Sequence, residues 1–121
     1  MDSRPEANKA VIRRVIEEVL NQGKLSVVDE LFAPTFVDRS SPDQPPGWAG
    51  VKGFVSLVRA NLSELQVDID DLIAEDDKVV VRTTWHGTRQ NLSQVQRTMI
   101  QIFRLADGKI VEEWNEGEGL L

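Results

Sequence analysis

The sequence predicts an α+β fold in which three helices come first and pack on a strongly curved, mostly antiparallel sheet. Two patterns and one count predict it. Apolar residues recur every three or four positions in the first half of the chain, and every second position from Leu65 onward. The chain has 121 residues, enough for one core, and no cysteine, so that core holds by packing and not by disulfides. Residues 1–121 are therefore read as a single domain.

The first helix is predicted from Ser3, which with Glu6 fits an S-x-x-E capping box, to the stop at Gly23. Val11, Ile12, Val15, Ile16, Val19 and Leu20 form its apolar stripe. A short helix over Ser26–Phe32 follows, capped by Ser26 and ended by Pro34. Thr35–Arg39 reads as extended, and Ser40–Gly47 as a loop because it holds three of the five prolines. The third helix begins near Gly50, with Val51, Phe54, Val55, Val58 and Leu62 on its buried face. Leu65, Val67 and Ile69 then alternate with polar residues, as in a strand. Glu75-Asp76-Asp77 turns into a long run at Lys78–Arg89; a second run spans Gln94–Leu105, Ala106-Asp107-Gly108 is a tight turn, and Lys109–Glu116 closes the sheet. Four such strands in sequence predict a meander whose concave face, covered by the helices, encloses one pocket.

Composition narrows the function. Twenty Asp plus Glu against 14 Lys plus Arg give a net charge of −6, which argues against nucleic acid or an anionic membrane as the main partner. There is no apolar run of membrane-spanning length and no signal-peptide pattern at the polar N-terminus, so a cytoplasmic location is expected. Six acids fall between Asp68 and Asp77, but without the spacing and glycine of a calcium loop; they read as a solvated strand edge and turn. Without cysteine or clustered histidine, no metal is expected.

Four segments carry a resemblance: Phe36-Val37-Asp38-Arg39; Gly47-Trp48-Ala49-Gly50-Val51-Lys52-Gly53-Phe54; Trp85-His86-Gly87-Thr88; and Ile102-Phe103-Arg104-Leu105-Ala106-Asp107-Gly108-Lys109-Ile110-Val111-Glu112-Glu113-Trp114. Together they resemble the SnoaL-like polyketide cyclase family of the nuclear transport factor 2-like superfamily, in order and over nearly the whole chain. The resemblance implies a cone-shaped barrel and a homodimer through the outer sheet face. It also implies an apolar cavity in which acid–base chemistry runs without a cofactor. Three positions depart from the family's pattern: Arg39 and Arg89 stand where histidines are usual, and Gln101 where an aspartate is usual. Arginine stays protonated and glutamine cannot exchange a proton, so that relay is absent as written. Isomerase chemistry lacks its oxyanion tyrosine, because the chain has no tyrosine.

Placing the family's polar positions toward the cavity, strand alternation predicts Arg39, Trp85, Arg89, Met99, Gln101, Phe103 and Trp114 in its lining, with Glu112 as an addition. Arg39 and Gln101 are the catalytic candidates, with Glu112 or Asp38 as the base. Two arginines would suit a carboxylate or an enolate. Trp85, Arg89, Trp114, Met99 and Phe103 are candidate ligand contacts. Trp48, on the proline-rich loop, is a candidate gate, and the tail from Glu116 either closes the mouth or frays. His86, the only histidine, points to the opposite face from Trp85 and is a secondary candidate. Structural readings stand beside these: Arg39 paired with a surface acid, Trp85 and Trp114 as core, Arg89 in solvent. The expected function is a cofactor-free cyclase, isomerase or lyase acting on a small hydrophobic carbonyl compound. Two alternatives remain: a non-catalytic binder of an apolar or carboxylated metabolite, and a dimerisation module whose cavity is filled.

Overall fold

The computed structural model describes residues 4–119. Ser3, half of the predicted capping box, and Leu120 and Leu121 lie outside them. Helix α1 spans Arg4–Arg14, and the same run continues as a π-helix over Val15–Asn21 before Gly23 turns the chain at φ 71°. A single α-helix was expected. Val15, Ile16, Val19 and Leu20 of the π-turn are all buried, as the apolar stripe predicted. Asn21 ends the segment by bonding a strand with its side chain. Its Nδ2 donates to Val67 O at 3.0 Å, and its Oδ1 accepts from Val67 N at 2.7 Å.

Helix α2, Ser26–Leu31, has Leu25 and not Ser26 at its N-cap and no side-chain cap bond. Pro34 does not end it; the proline lies inside strand β1, Phe32–Asp38. β1 is the sheet's edge, where a missing N–H costs no ladder bond. Helix α3, Gly47–Asn61, starts earlier than predicted and takes Trp48 into its first turn. Two glycines make that start possible. Gly47 has φ 77°, and a Cβ there would stand 2.6 Å from Pro34 O; a Cβ on Gly50 would stand 1.8 Å from Pro45 O.

Strands β2 (Ser63–Glu75), β3 (Lys78–Thr88), β4 (Gln94–Ala106) and β5 (Lys109–Gly117) form the expected antiparallel meander. The last strand then pairs in parallel with the first, giving the order β1-β5-β4-β3-β2. Asp107 and Gly108, at φ 51° and 77°, make the two-residue turn between β4 and β5. Just past it the register slips: Leu105 faces Ile110 but Arg104 faces Glu112, so Val111 is an extra residue on β5. The alternation therefore reverses along β5, and Ile110 does not share a face with Glu112 and Trp114.

The core lies between the sheet's concave face and the helices. Trp85, Phe36, Phe103, Ile12, Ile16 and Ile110 are its largest fully buried side chains. Among the described residues, no helix is long and apolar enough to cross a membrane, and no three His, Asp or Glu side chains are placed to hold a metal ion.

Candidate functional site

A cavity of about 450 Å³ opens between the helices and the sheet. Its helical wall is Val15, Ile16, Val19 and Leu20 of the π-turn with Val51, Phe54 and Val55 of α3. Phe32, Phe36, Trp85, Met99 and Phe103 form the opposite wall. The polar end is built by the closing pair of strands: Asp38 from β1, Gln101 from β4, and Glu113 and Asn115 from β5. Ser40, Ser41 and Gln44 of the proline-rich loop and Gly117–Gly119 of the tail complete the mouth. Arg97 tethers the tail, its Nε lying 3.4 Å from Glu118 Oε2 and 3.3 Å from Gly119 O.

One hydrogen-bond network orders the polar end. Gln101 Nε2 donates to Glu113 Oε2 at 2.9 Å and to Asn115 Oδ1 at 3.1 Å. Asn115 Nδ2 passes the chain on to Asp38, at 3.1 and 3.3 Å from its two oxygens. Ser40 N also donates to Asp38 Oδ1 at 2.9 Å, and Asn115 N donates to Ser40 Oγ at 2.8 Å. Asp38 and Glu113 are register partners in the parallel pair, with Arg39 N donating to Glu113 O at 2.8 Å.

Glu113 is the chemically distinctive group. It is half-buried and lines the cavity, and loss of solvent around it pushes its carboxyl up to about 8. The charge of Asp38 pushes the same way, against the opposing hydrogen bonds from Gln101 and Asn115. A group titrating near neutrality inside an apolar pocket can both take and return a proton.

The predicted residues divide. Asp38, Trp85, Met99, Gln101 and Phe103 line the cavity. Trp85 is also core: it is buried, with Nε1 donating to Thr83 Oγ1 at 2.8 Å. Glu112 does not face the cavity. The extra residue at Val111 turns it outward, where it accepts from Arg39 Nε at 2.7 Å and Arg104 Nε at 2.5 Å. Those two guanidiniums, Arg39 first, hold its carboxyl below the usual carboxylate range, the reverse of what the predicted base requires.

Arg39 is likewise outside, half-exposed and committed to Glu112. Arg89 lies on the turn after β3, beside Asn61 and Leu62 at a separate, shallower concavity, with Nη1 3.4 Å from Ser93 Oγ. Trp114 sits across from Ile102 on the outer face, one residue past Glu113. Trp48 is no gate: its Nε1 donates to Phe32 O at 2.7 Å, and its ring packs against the core. His86 is on the outer face, 3.3 Å from Asp68 Oδ2.

Sequence reading missed Glu113 and Asn115. Two successive acids at 112 and 113 signalled that one of them faces inward, but only the register of the bulge says which.

A family profile described as SnoaL-like polyketide cyclase matches residues 10–119. Among solved structures, TsrD from Streptomyces laurentii has a TM-score of 0.87 at 21% identity, with 98% of this chain and 91% of that one covered. A candidate polyketide cyclase from Bacillus cereus gives 0.85 at 26% identity, covering 93% of this chain and 74% of its own. IdmH from Streptomyces antibioticus, also a candidate polyketide cyclase, gives 0.79 at 24% identity, with 92% and 91% covered. The first and third likenesses speak to the fold alone. No curated protein matches the chain.

Proposed function

Because the chain belongs to the SnoaL-like polyketide cyclase family, we infer that its cavity performs cofactor-free acid–base chemistry on a small hydrophobic carbonyl compound, with Glu113 as the proton carrier. The observation that carries this reading is the placing of Glu113: a carboxyl raised to about 8, at the polar end of an apolar cavity, beside a second carboxylate. The substrate's rings lie against Trp85, Phe36 and Phe103. The ionised fraction of Glu113 takes the proton from the carbon next to the carbonyl, leaving an enolate. In a cyclase the enolate carbon attacks a second carbonyl of the same molecule. Glu113 then returns its proton to the new alkoxide, so the step is balanced without any oxidant or metal. Asp38 tunes and, through Asn115, orients this group.

Exchange of the α-protons of β-tetralone into deuterated buffer, followed by nuclear magnetic resonance, tests the reading. The rate should exceed that of buffer and climb with pH through the midpoint near 8 set by Glu113. Asp38→Asn should move that midpoint lower, because the charge opposing ionisation is gone. Exchange at the buffer rate throughout would exclude the enzyme, and binding without exchange would make the chain a binder.

A second copy of the chain fits the outer face. Ile73, Val80, Ile102 and Trp114 are register partners in one row across four strands. Ile73 is 62% exposed, and Lys78, Arg104 and Glu112 run alongside the row. An apolar row with charges of both signs beside it suits self-association about a two-fold axis. Light scattering should report a dimer for the native chain and a monomer for Ile102→Glu; a native monomer would remove this reading.

A further inference from the structure

The charge on the ligand is open in the acid–base reading, and the polar end of the cavity bears on it. The chain has 14 Lys plus Arg, yet among the described residues none lines the cavity, whereas Asp38, Glu113 and Glu118 do. Arg39 is spent on Glu112 outside, and Arg97 on Glu118 at the rim. The hydrogen-bond donors to Asp38 are the backbone N–H of Ser40 and the amide of Asn115, both neutral. Its carboxylate, half-buried at the cavity wall, therefore meets neutral donors only, and a cation there would add the charge partner that it lacks.

An independent observation comes from Gln101. It is only 8% exposed and lines the cavity, its Nε2 is used twice, and its buried Oε1 has no partner within the protein. A buried carbonyl oxygen without a donor is uncommon and needs a reason. What it can accept is an N–H or O–H; a ligand carboxylate or ketone oxygen offers it nothing. The adjoining wall includes the aromatic side chains of Trp85, Phe36 and Phe103, a residue type whose ring attracts a cation.

We propose that the ligand of this cavity is a hydrophobic molecule bearing a protonated nitrogen, held between the Asp38 carboxylate and the Oε1 of Gln101 with aromatic rings around it. The proposal rests on the acid–base reading and adds the ligand's charge to it: with the nitrogen seated at Asp38, Glu113 remains the group that moves the proton. It also corrects the expectation of a carboxylated ligand, whose two arginines both lie outside the cavity.

The test is calorimetric titration of the full chain at neutral pH with three tetralins of equal size, bearing an amine, an alcohol or a carboxylate at the β position. The amine should bind at least about tenfold tighter than the alcohol, a step typical of one desolvated cation contact, and the carboxylate weakest. Asp38→Asn should bring the amine down to the affinity of the alcohol. Gln101→Met, which keeps the volume, should weaken the amine more than the alcohol, because the charged donor makes the stronger hydrogen bond to Oε1, and thermal melts of both variants confirm that they fold. Equal affinities, a preference for the carboxylate, no binding by any of the three, or an amine preference that survives Asp38→Asn would each overturn the proposal. Exchange of β-tetralone in the same preparations separates the two ideas. Catalysed exchange without amine preference overturns the charge assignment alone, and amine preference without exchange overturns the acid–base reading alone.

Discussion

Glu113→Gln should stop α-proton exchange and at the same time flatten the chain's stability against pH. The exchange loss should be roughly 10²–10⁴-fold, the range a positioned general base supplies. The stability effect follows from the raised carboxyl. Folded Glu113 keeps its proton up to about 8, while the unfolded chain releases it near the ordinary value of 4.5. The native state is therefore favoured in full below the unfolded value, and that advantage is lost as pH climbs through the folded one. Across this window the native chain should lose on the order of 4 kcal/mol relative to the variant. Glutamine preserves the shape and carries no charge at any pH, so the variant should show no such slope. Urea unfolding from pH about 4 to 9 measures it. Parallel curves for the two proteins would mean that Glu113 is not held neutral by the fold.

Trp85→Ala carries the largest purely structural cost. Trp85 is 1% exposed, lies between the core and the cavity, and satisfies the buried hydroxyl of Thr83. Truncation should cost about 3–5 kcal/mol, lowering the melting temperature by roughly 10–20 °C. Trp85→Phe separates the causes. It keeps most of the packing but leaves the Thr83 hydroxyl without its donor, worth about 1–3 kcal/mol. An alanine variant melting within a few degrees of the native chain would show that the neighbouring aromatic residues collapse into the space.

Most of the fold was legible in the sequence because period and punctuation are local signals. The alternation at Leu65, Val67 and Ile69 and the Asp107-Gly108 turn did their work without tertiary information. The misreadings were not local. Pro34 looks like a helix stop until β1 is known to be an edge strand, and the π-turn at Val15–Asn21 is invisible in a sequence that also suits an ordinary helix. The site was half legible for the same reason. Trp85, Met99, Gln101 and Phe103 obey simple alternation along β3 and β4, so their inward face follows from counting. Glu112 and Glu113 exchange places because one residue, Val111, is left over in the pairing with β4, and that depends on where Arg104 and Leu105 find their partners. Arg39 followed it: once Glu112 is outside, its guanidinium has a carboxylate to meet there.

The parallel pairing of β1 with β5 has a consequence for biosynthesis. Asp38 and Glu113 come together only through the joining of the chain's first and last strands. A polypeptide emerging from the ribosome therefore carries Trp85, Phe103 and Asp38 before Glu113 is made, and β5 docks last. Such a distant closure is slow relative to the helices and the β2–β3 hairpin. A chain that ends before β5 lacks Glu113, and that carboxyl comes beside the charge of Asp38 only once β1 and β5 have paired.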